Sequence, residues 1–215
     1  CDDGNTQDGD VCSKTCTWLP YGTQQVPGTS CLEILNKFKA AGSTRTNGDY
    51  FIKTPKAQVI QVWCDMTTEG GGYTYFPIAS GKTTYRSTDD NSCKDYGLDI
   101  FYPRSKAQWT AVVAKYDASY YPVIPGVTNP NGGANYTGCV MRDPKSYGSG
   151  CNDWKVPDGG RWWLRDSTYG EPNGDYVANC WMETRGASNP ADITFNDLNC
   201  TYSTSKYLCS TNDKP

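Results

Sequence analysis

The sequence predicts a disulfide-bonded α+β fold, and three observations support that prediction. Two segments have the apolar spacing of amphipathic helices, and shorter runs rich in β-branched and aromatic residues indicate strands. Eleven cysteines at scattered spacings indicate disulfides formed in an oxidising, extracellular compartment. Hydrophobic residues make up 37% of the 215 residues, including 16 Tyr and 7 Trp, which is sufficient for a packed core.

Charge and composition exclude several classes of function. The net charge is −3 and there is no basic run, so neither nucleic acid nor an anionic membrane is indicated as a partner. No apolar run approaches about 18 residues, so membrane insertion is not expected. Histidine, the commonest general base, is absent, and none of the 23 acidic residues lies in a recognisable catalytic context. We therefore expect a binding protein and not an enzyme.

The N-terminal segment is expected to be a small module with a linker. Residues 1–16 contain three cysteines and resemble the end of a short cysteine-rich repeat that occurs in tandem in extracellular proteins. Its carboxylates could indicate Ca²⁺, but the twelfth-position Glu of an EF-hand loop is absent, which favours a disulfide-stapled turn. Residues 17–29 contain the prolines and glycines of a linker. Residues 1–29 are therefore expected to belong to a larger multi-module chain.

The next segment predicts a capped helix followed by two strands. Ser30 and Glu33 have the spacing of a capping box, an apolar stripe follows, and Gly42 is a suitable stop. Residues 50–52 and 59–63 have the composition of strands. Three consecutive glycines then indicate a turn or bulge and not a phosphate loop, because no Lys-Ser/Thr pair follows them.

Residues 31–74 as a whole resemble the opening of fibrinogen-like domains, from the helix through Cys64-Asp65-Met66 and the glycine run to Tyr73. That resemblance implies a disulfide between Cys31 and Cys64. The calcium and ligand sites of that family lie further along its chain and find no match in this sequence. We therefore assign residues 30–89 as a fibrinogen-like N-terminal segment that supplies scaffold only.

The remaining residues, 90–215, contain a second helix and a loop-rich region. Residues 104–116 place Trp109, Val112, Val113 and Tyr116 on one face, which predicts a helix packed on the core. Residues 117–135 have the composition of a long surface loop, and residues 136–142 and 161–164 indicate strands. Cys139 and Cys151 flank a short glycine-rich segment, and their proximity predicts a local disulfide.

Two clusters of oxygen-bearing side chains near the C-terminus are the candidate functional site. Glu171 and Asn173 flank a proline, and Asn196 and Asp197 are adjacent. Carboxylates and amide carbonyls are the hard ligands that Ca²⁺ prefers. A disulfide between the neighbouring cysteines, Cys180 and Cys200, would bring the two clusters together.

This stretch resembles the sugar-binding loop of C-type lectins. Glu171-Pro172-Asn173 matches the Glu-Pro-Asn triplet of that family, and Asn196-Asp197-Leu198-Asn199-Cys200 keeps its second motif, with Phe195 where the family has Trp. The resemblance implies that residues 90–215 form a C-type lectin-like domain with a long calcium-binding loop. It also implies a Ca²⁺ held by all four oxygen-bearing residues and a cis bond before Pro172. It also implies a Cys180–Cys200 bridge, a closing strand at residues 207–209, and a Cys93–Cys209 bridge.

The order Glu-Pro-Asn goes, in that family, with mannose-like sugars. A ligand amide can donate, and a ligand carboxylate can accept, so each hydroxyl of a calcium-bound diol finds a partner. We therefore expect calcium-dependent binding of mannose, fucose or glucose by the four metal ligands Glu171, Asn173, Asn196 and Asp197, in extracellular adhesion or recognition. The partners would be glycans on a cell surface or matrix.

One departure from the family leaves an alternative open. Ala178 stands where the family usually has a further glutamate ligand, although Asp175, Asn179 or water could substitute. The alternative is a structural or protein-binding extracellular module with a degenerate C-type lectin fold and no sugar binding. Asn135 begins a glycosylation sequon, as does Asn199, where a glycan would crowd the proposed site.

Overall fold

The computed structural model describes residues 21–84, 89–116, 156–160, 162–163, 179–185, 194–199 and 203–214, with the backbone alone for 179–185 and 194–199. It contains helices and antiparallel strand pairs, which confirms the α+β class. The described residues divide into two compact units. The first unit runs to Phe76 and includes Tyr96–Leu98 and Thr211–Lys214, and the second takes the remaining residues.

The helix of the first unit is α1, Cys31–Ala40, whose capping prediction is confirmed with one change. The Ser30 hydroxyl accepts a hydrogen bond from Glu33 N at 3.1 Å. The Glu33 carboxylate does not bind the backbone of the cap residue itself but that of Thr29, one residue earlier. It accepts hydrogen bonds from Thr29 N at 2.6 Å and from the Thr29 hydroxyl at 2.8 Å. Glu33 also accepts from the Tyr21 hydroxyl at 2.8 Å, so the same carboxylate ties the entering chain to the helix.

Three antiparallel strands follow: β1, Gly48–Lys53; β2, Val59–Asp65; and β3, Tyr73–Ile78, of which the residues up to Phe76 belong to the first unit. Strand β2 pairs with both of the others. The Cys31–Cys64 disulfide joins α1 to β2, as the fibrinogen-like resemblance implies. The core of this unit consists of buried residues from the helix, the strands and the entering chain: Tyr21, Cys31, Ile34, Leu35, Phe38, Ile52, Val62, Cys64 and Met66.

The turn between β2 and β3 contains the three consecutive glycines, and the turn prediction is confirmed. A short 3-10 segment, Thr68–Gly70, includes Glu69 at φ 50°, and the three glycines that follow in sequence have φ values of 87°, 78° and 100°. This left-handed backbone favours glycine. A Cβ at Gly71 would collide with the Met66 backbone, so that position requires glycine for space as well.

The second unit contains helices α2, Ser92–Asp95, and α3, Lys106–Tyr116, and strands β4, Asp99–Ile100, and β7, Tyr207–Ser210. Strand β7 pairs antiparallel with β4. The Cys93–Cys209 disulfide joins α2 to β7, which is the pairing that the lectin resemblance implies.

Helix α3 begins two residues later than the predicted residue 104 because a second capping box sets its start. The Ser105 hydroxyl accepts from Gln108 N at 3.1 Å, and the Gln108 side-chain oxygen accepts from Arg104 N at 2.7 Å. The predicted apolar face is buried at Trp109, Val112 and Val113. Trp109 stacks on Phe101 with ring centroids 6.0 Å apart.

Two further strands precede β7 in the chain: β5, Asn179–Arg185, and β6, Thr194–Asn199, which form a separate antiparallel pair. Neither strand is predicted from the sequence. The strand predicted at residues 161–164 is absent at the two residues of it that are described, Trp162 and Trp163, although both are buried. The strand predicted at residues 136–142 lies outside the described residues.

Candidate functional site

Two of the four predicted calcium ligands lie side by side in the middle of strand β6. Asn196 pairs in backbone register with Glu183 of β5, and Asp197 pairs with Met182. An antiparallel pair fixes the backbone positions of facing residues, so the Asn-Asp motif occupies a defined place in the fold.

Several predicted site residues lie outside the described residues, and their roles stay predictions. They include one half of the proposed calcium ligand set, both cysteines of the predicted local disulfide, one loop cysteine and the glycosylation site: Glu171, Asn173, Cys139, Cys151, Cys200 and Asn135. The structure therefore gives the backbone positions of Asn196 and Asp197, and the four-ligand calcium site stays a prediction.

The backbone around Cys180 is relevant to the predicted Cys180–Cys200 bridge. Asn179 pairs with Asn199, Trp181 pairs with Leu198, and the register shifts between those two pairs, at Cys180. Cys200 directly follows Asn199 in the sequence. Cys180 therefore lies at the end of the strand pair that contains Asn199, the residue before Cys200 in the sequence. The bridge itself stays a prediction.

Glu183 is an acidic residue that is not among the site residues predicted from the sequence. It is the register partner of Asn196 in the neighbouring strand. In two antiparallel strands joined in sequence, residues that lie equally far from the connection face each other. This spacing is the signal in the sequence that could have identified Glu183 as the partner of Asn196. That signal depends on knowing that residues 179–185 and 194–199 form strands, and their sequences alone did not predict strands.

The chain that leads into the predicted Glu-Pro-Asn region is anchored at two buried tryptophans. Trp162 and Trp163 are 1% and 6% exposed, and Trp163 N donates a hydrogen bond to Pro103 O at 2.8 Å. Both lie in the second unit, together with Pro103. Trp163, which lies eight residues before Glu171 in the sequence, is therefore held in the core.

An ion pair in the second unit holds the neighbouring loop 156–160. The Asp158 carboxylate is bound by the Arg104 guanidinium and by the Tyr102 hydroxyl, the latter at 2.8 Å. Its second oxygen accepts from Gly160 N at 2.8 Å. The Arg104 guanidinium also lies over the Tyr102 ring, 4.4 Å from its centroid.

The protonation states in this network indicate a structural role. Burial raises the pKa of the Tyr102 hydroxyl well above its usual range, and the hydrogen bond to Asp158 raises it further. Burial would raise the pKa of Asp158, but the hydrogen bonds from Arg104, Gly160 and Tyr102 outweigh it and hold the pKa below its usual value. A phenol that stays protonated beside a carboxylate that stays ionised orders the loop and does not exchange protons near neutral pH.

Among the side chains that the structure describes, no group of three or more acidic or cysteine residues is arranged to hold a metal ion. The proposed calcium ligands are not among those side chains, since two lie outside the described residues and two are described by backbone alone. Within the same described ranges, none of the helices has the length and apolar character needed to cross a membrane.

Comparison with known proteins adds no family to these observations. No family model matches the chain, and a search of curated proteins found no match. The resemblances to fibrinogen-like domains and C-type lectins therefore rest on the motifs quoted above.

Proposed function

We propose that this protein is an extracellular, calcium-dependent binder of mannose-type glycans with a C-type lectin-like fold. The observation that carries the proposal is the Asn196-Asp197 motif in a paired strand, three residues before Cys200, with Cys180 in the partner strand. The Glu171-Pro172-Asn173 triplet supplies the other half of the ligand set in the sequence. Two disulfides among the described residues support an oxidising compartment.

The chemistry of the four residues accounts for the proposed specificity. Glu171 and Asp197 contribute charged calcium ligands that can also accept hydrogen bonds, and the two asparagines contribute ligands that can also donate. An equatorial vicinal diol offers both oxygens to the ion at similar angles. The axial 4-hydroxyl of galactose tilts that pair, and a misplaced bond to a charged group costs about 1.5–3 kcal/mol, roughly tenfold to a hundredfold in affinity.

A calcium titration of the purified chain tests the metal site. If Ca²⁺ binds the folded chain, a concentration about 100 times Kd raises the free energy of unfolding by about 2.7 kcal/mol. Replacing Asp197→Ala removes a charged ligand and should abolish that rise. The matched control is Asp49→Ala, which removes an exposed carboxylate of β1 in the first unit. An undiminished calcium effect in Asp197→Ala would refute the site.

Retention on a mannose resin tests the sugar. We expect retention in Ca²⁺, release by EDTA, and competition by free mannose at a concentration at least about tenfold lower than that of galactose. Equal competition by the two sugars would refute the specificity. Retention that survives EDTA would refute the calcium-dependent mechanism.

A second candidate function is supported by one departure in the sequence. Ala178 replaces a glutamate that C-type lectins usually supply to the ion, and loss of a charged ligand weakens a calcium site. In that case the fold would serve as a protein-binding or structural module. An absence of any calcium effect on unfolding, in a chain that keeps the Cys31–Cys64 and Cys93–Cys209 bridges of the described residues, would favour this candidate.

A further inference from the structure

Carbonyl oxygens of the turn between β2 and β3 converge on the ammonium group of Lys214. Lys214 Nζ donates to Glu69 O at 2.7 Å, to Gly71 O at 2.9 Å and, more weakly, to Thr68 O at 3.4 Å. A primary ammonium has three N–H donors, so the three acceptors match its full capacity. We name residues 65–73, which include these carbonyls, the carbonyl cradle.

The cradle is shaped by its own backbone. Asp65 Oδ1 accepts from Thr67 N at 3.0 Å and from Thr68 N at 2.9 Å, and Gly72 N donates to Asp65 O at 2.7 Å. Positive φ values at Glu69 and the glycines turn the chain through the intervening residues. Because these contacts do not involve Lys214, we expect the acceptor geometry to persist when Lys214 leaves.

The surroundings of the cradle favour a cation. The Tyr73 ring centroid lies 4.3 Å from Lys214 Nζ, within the range of a cation–π interaction. The Tyr73 hydroxyl donates to the Glu69 carboxylate at 2.6 Å and so holds ring and carboxylate together. Asp65 is fully buried, and its second carboxylate oxygen has no hydrogen-bond partner among the described residues.

Electrostatics at Lys214 are consistent with a partly desolvated cation. Burial lowers the pKa of Lys214, while the negative charges of Glu69 and Asp65 act to raise it and the charge of Lys39 acts to lower it. Lys39 donates separately to Gly70 O at 3.0 Å, so four consecutive carbonyls, from Thr68 to Gly71, accept from ammonium groups. The distances from the lysine nitrogens to these carbonyl oxygens are those of ammonium hydrogen bonds, and they exceed the 2.3–2.6 Å between Ca²⁺ and its oxygen ligands.

We propose that the carbonyl cradle is a binding site for a primary alkylammonium group, occupied within the chain by Lys214 and open to a lysine-like amine from outside when residues 211–214 detach. The occupant lies on residues that have neither helix nor strand after β7 ends at Ser210. Such segments open at a small free-energy cost, so exchange of the resident ammonium for an external one is feasible.

The test uses the full chain with Lys214→Ala and, as a second variant, Lys214→Met, which keeps much of the aliphatic stem. The probe is n-butylammonium, which reproduces the end of a lysine side chain. We expect it to raise the melting temperature of both variants in a saturable way. Tetramethylammonium, which has no N–H donor, and sodium at equal ionic strength should not. A rise that is equal for all three salts, or no rise at all, would overturn the proposal.

Two controls separate the cradle from general effects of charge. Lys56→Ala removes an exposed lysine of the β1–β2 turn and should leave the response to n-butylammonium as weak as in the parent chain. Glu69→Gln in the Lys214→Ala background removes one favourable charge and should weaken the binding of n-butylammonium. If Lys214 fills the cradle about 90% of the time, the intact chain binds the probe about tenfold more weakly than Lys214→Ala.

A measurement on the intact chain keeps the proposal testable if both Lys214 variants fail to fold. The amide resonances of Gly70, Gly71 and Gly72 should shift progressively in NMR spectra as n-butylammonium displaces Lys214. Saturable shifts confined to the cradle would support the site. A tethered amine has an effective concentration in the millimolar range, so the titration must extend above that range. Glycine resonances that stay unchanged at those n-butylammonium concentrations would overturn the proposal.

Discussion

The two described disulfides form a matched pair from which the contribution of loop length can be measured. Both have a Cα–Cα distance of 5.5 Å, and all four cysteines are fully buried. They differ in the separation that they close, which is 33 residues for Cys31–Cys64 and 116 for Cys93–Cys209. Replacing each pair by two alanines removes similar packing, leaves no free thiol at those positions, and opens loops of very different length.

The chain-entropy relation gives the expected magnitudes. Opening the 33-residue loop should cost about 3.7 kcal/mol and opening the 116-residue loop about 4.8 kcal/mol. The difference, about 1.1 kcal/mol, is more secure than either total because the packing losses nearly cancel. We therefore expect the Cys93→Ala/Cys209→Ala variant to be the less stable of the two.

The assay must treat the two units separately, since a chain of two units need not unfold in one step. Amide hydrogen exchange read by mass spectrometry gives the opening free energy of peptides that contain β2 and of peptides that contain β7. Each variant should lose protection mainly in the unit that carries its own bridge. An equal loss in both variants, or a larger loss for Cys31–Cys64, would refute the entropic argument and point to strain or packing at the bridges.

Two further predictions concern the helices. Hydrogen bonds to Glu33 outweigh its burial and lower its pKa below the ordinary 4.5, so its contribution is present above pH 4.5 and is lost as the pH falls through the lower folded value. Glu33→Gln should therefore lower the free energy of unfolding by about 1 kcal/mol at pH 7, a small loss because solvent screens the partly exposed carboxylate. In denaturant titrations below pH 4.5, the difference in stability between this variant and the parent chain should narrow. A difference that does not depend on pH would contradict this prediction. Trp109→Ala should lower the free energy of unfolding by about 3–5 kcal/mol because Trp109 is fully buried against Phe101. The control Val59→Ala, at an exposed position, should change stability by less than about 0.5 kcal/mol. Similar losses in the two variants would contradict the assigned core.

Local signals in the sequence were sufficient for the elements whose ends are set by side chains close in sequence. The Ser30–Glu33 spacing located the start of α1, and Ser105–Gln108 has the same pattern at the start of α3. In both helices the returning bond goes to the residue before the cap, at Thr29 and Arg104. A prediction that used this second capping box would have started α3 at the observed residue.

Elements that depend on distant partners were not predictable in the same way. Strand β3 begins with three buried residues, Tyr73, Thr74 and Tyr75, so the alternation that marks a half-exposed strand is missing. The pairing of Asn196 with Glu183 depends on a hairpin register. The Lys214 contacts join positions more than 140 residues apart in sequence, and no local pattern indicates them.

The two proposed cation sites can be tested independently because their chemistry differs. The proposed calcium site would require carboxylate and amide oxygens at 2.3–2.6 Å, from the predicted ligand Asp197 and its three predicted co-ligands. The carbonyl cradle presents its oxygens at 2.7–3.4 Å from a nitrogen that already satisfies them. Calcium should therefore stabilise Glu69→Gln as much as the parent chain, and n-butylammonium should stabilise Asp197→Ala in the Lys214→Ala background as much as Lys214→Ala alone. Failure of one proposal would leave the other intact, since no ligand residue is shared between them.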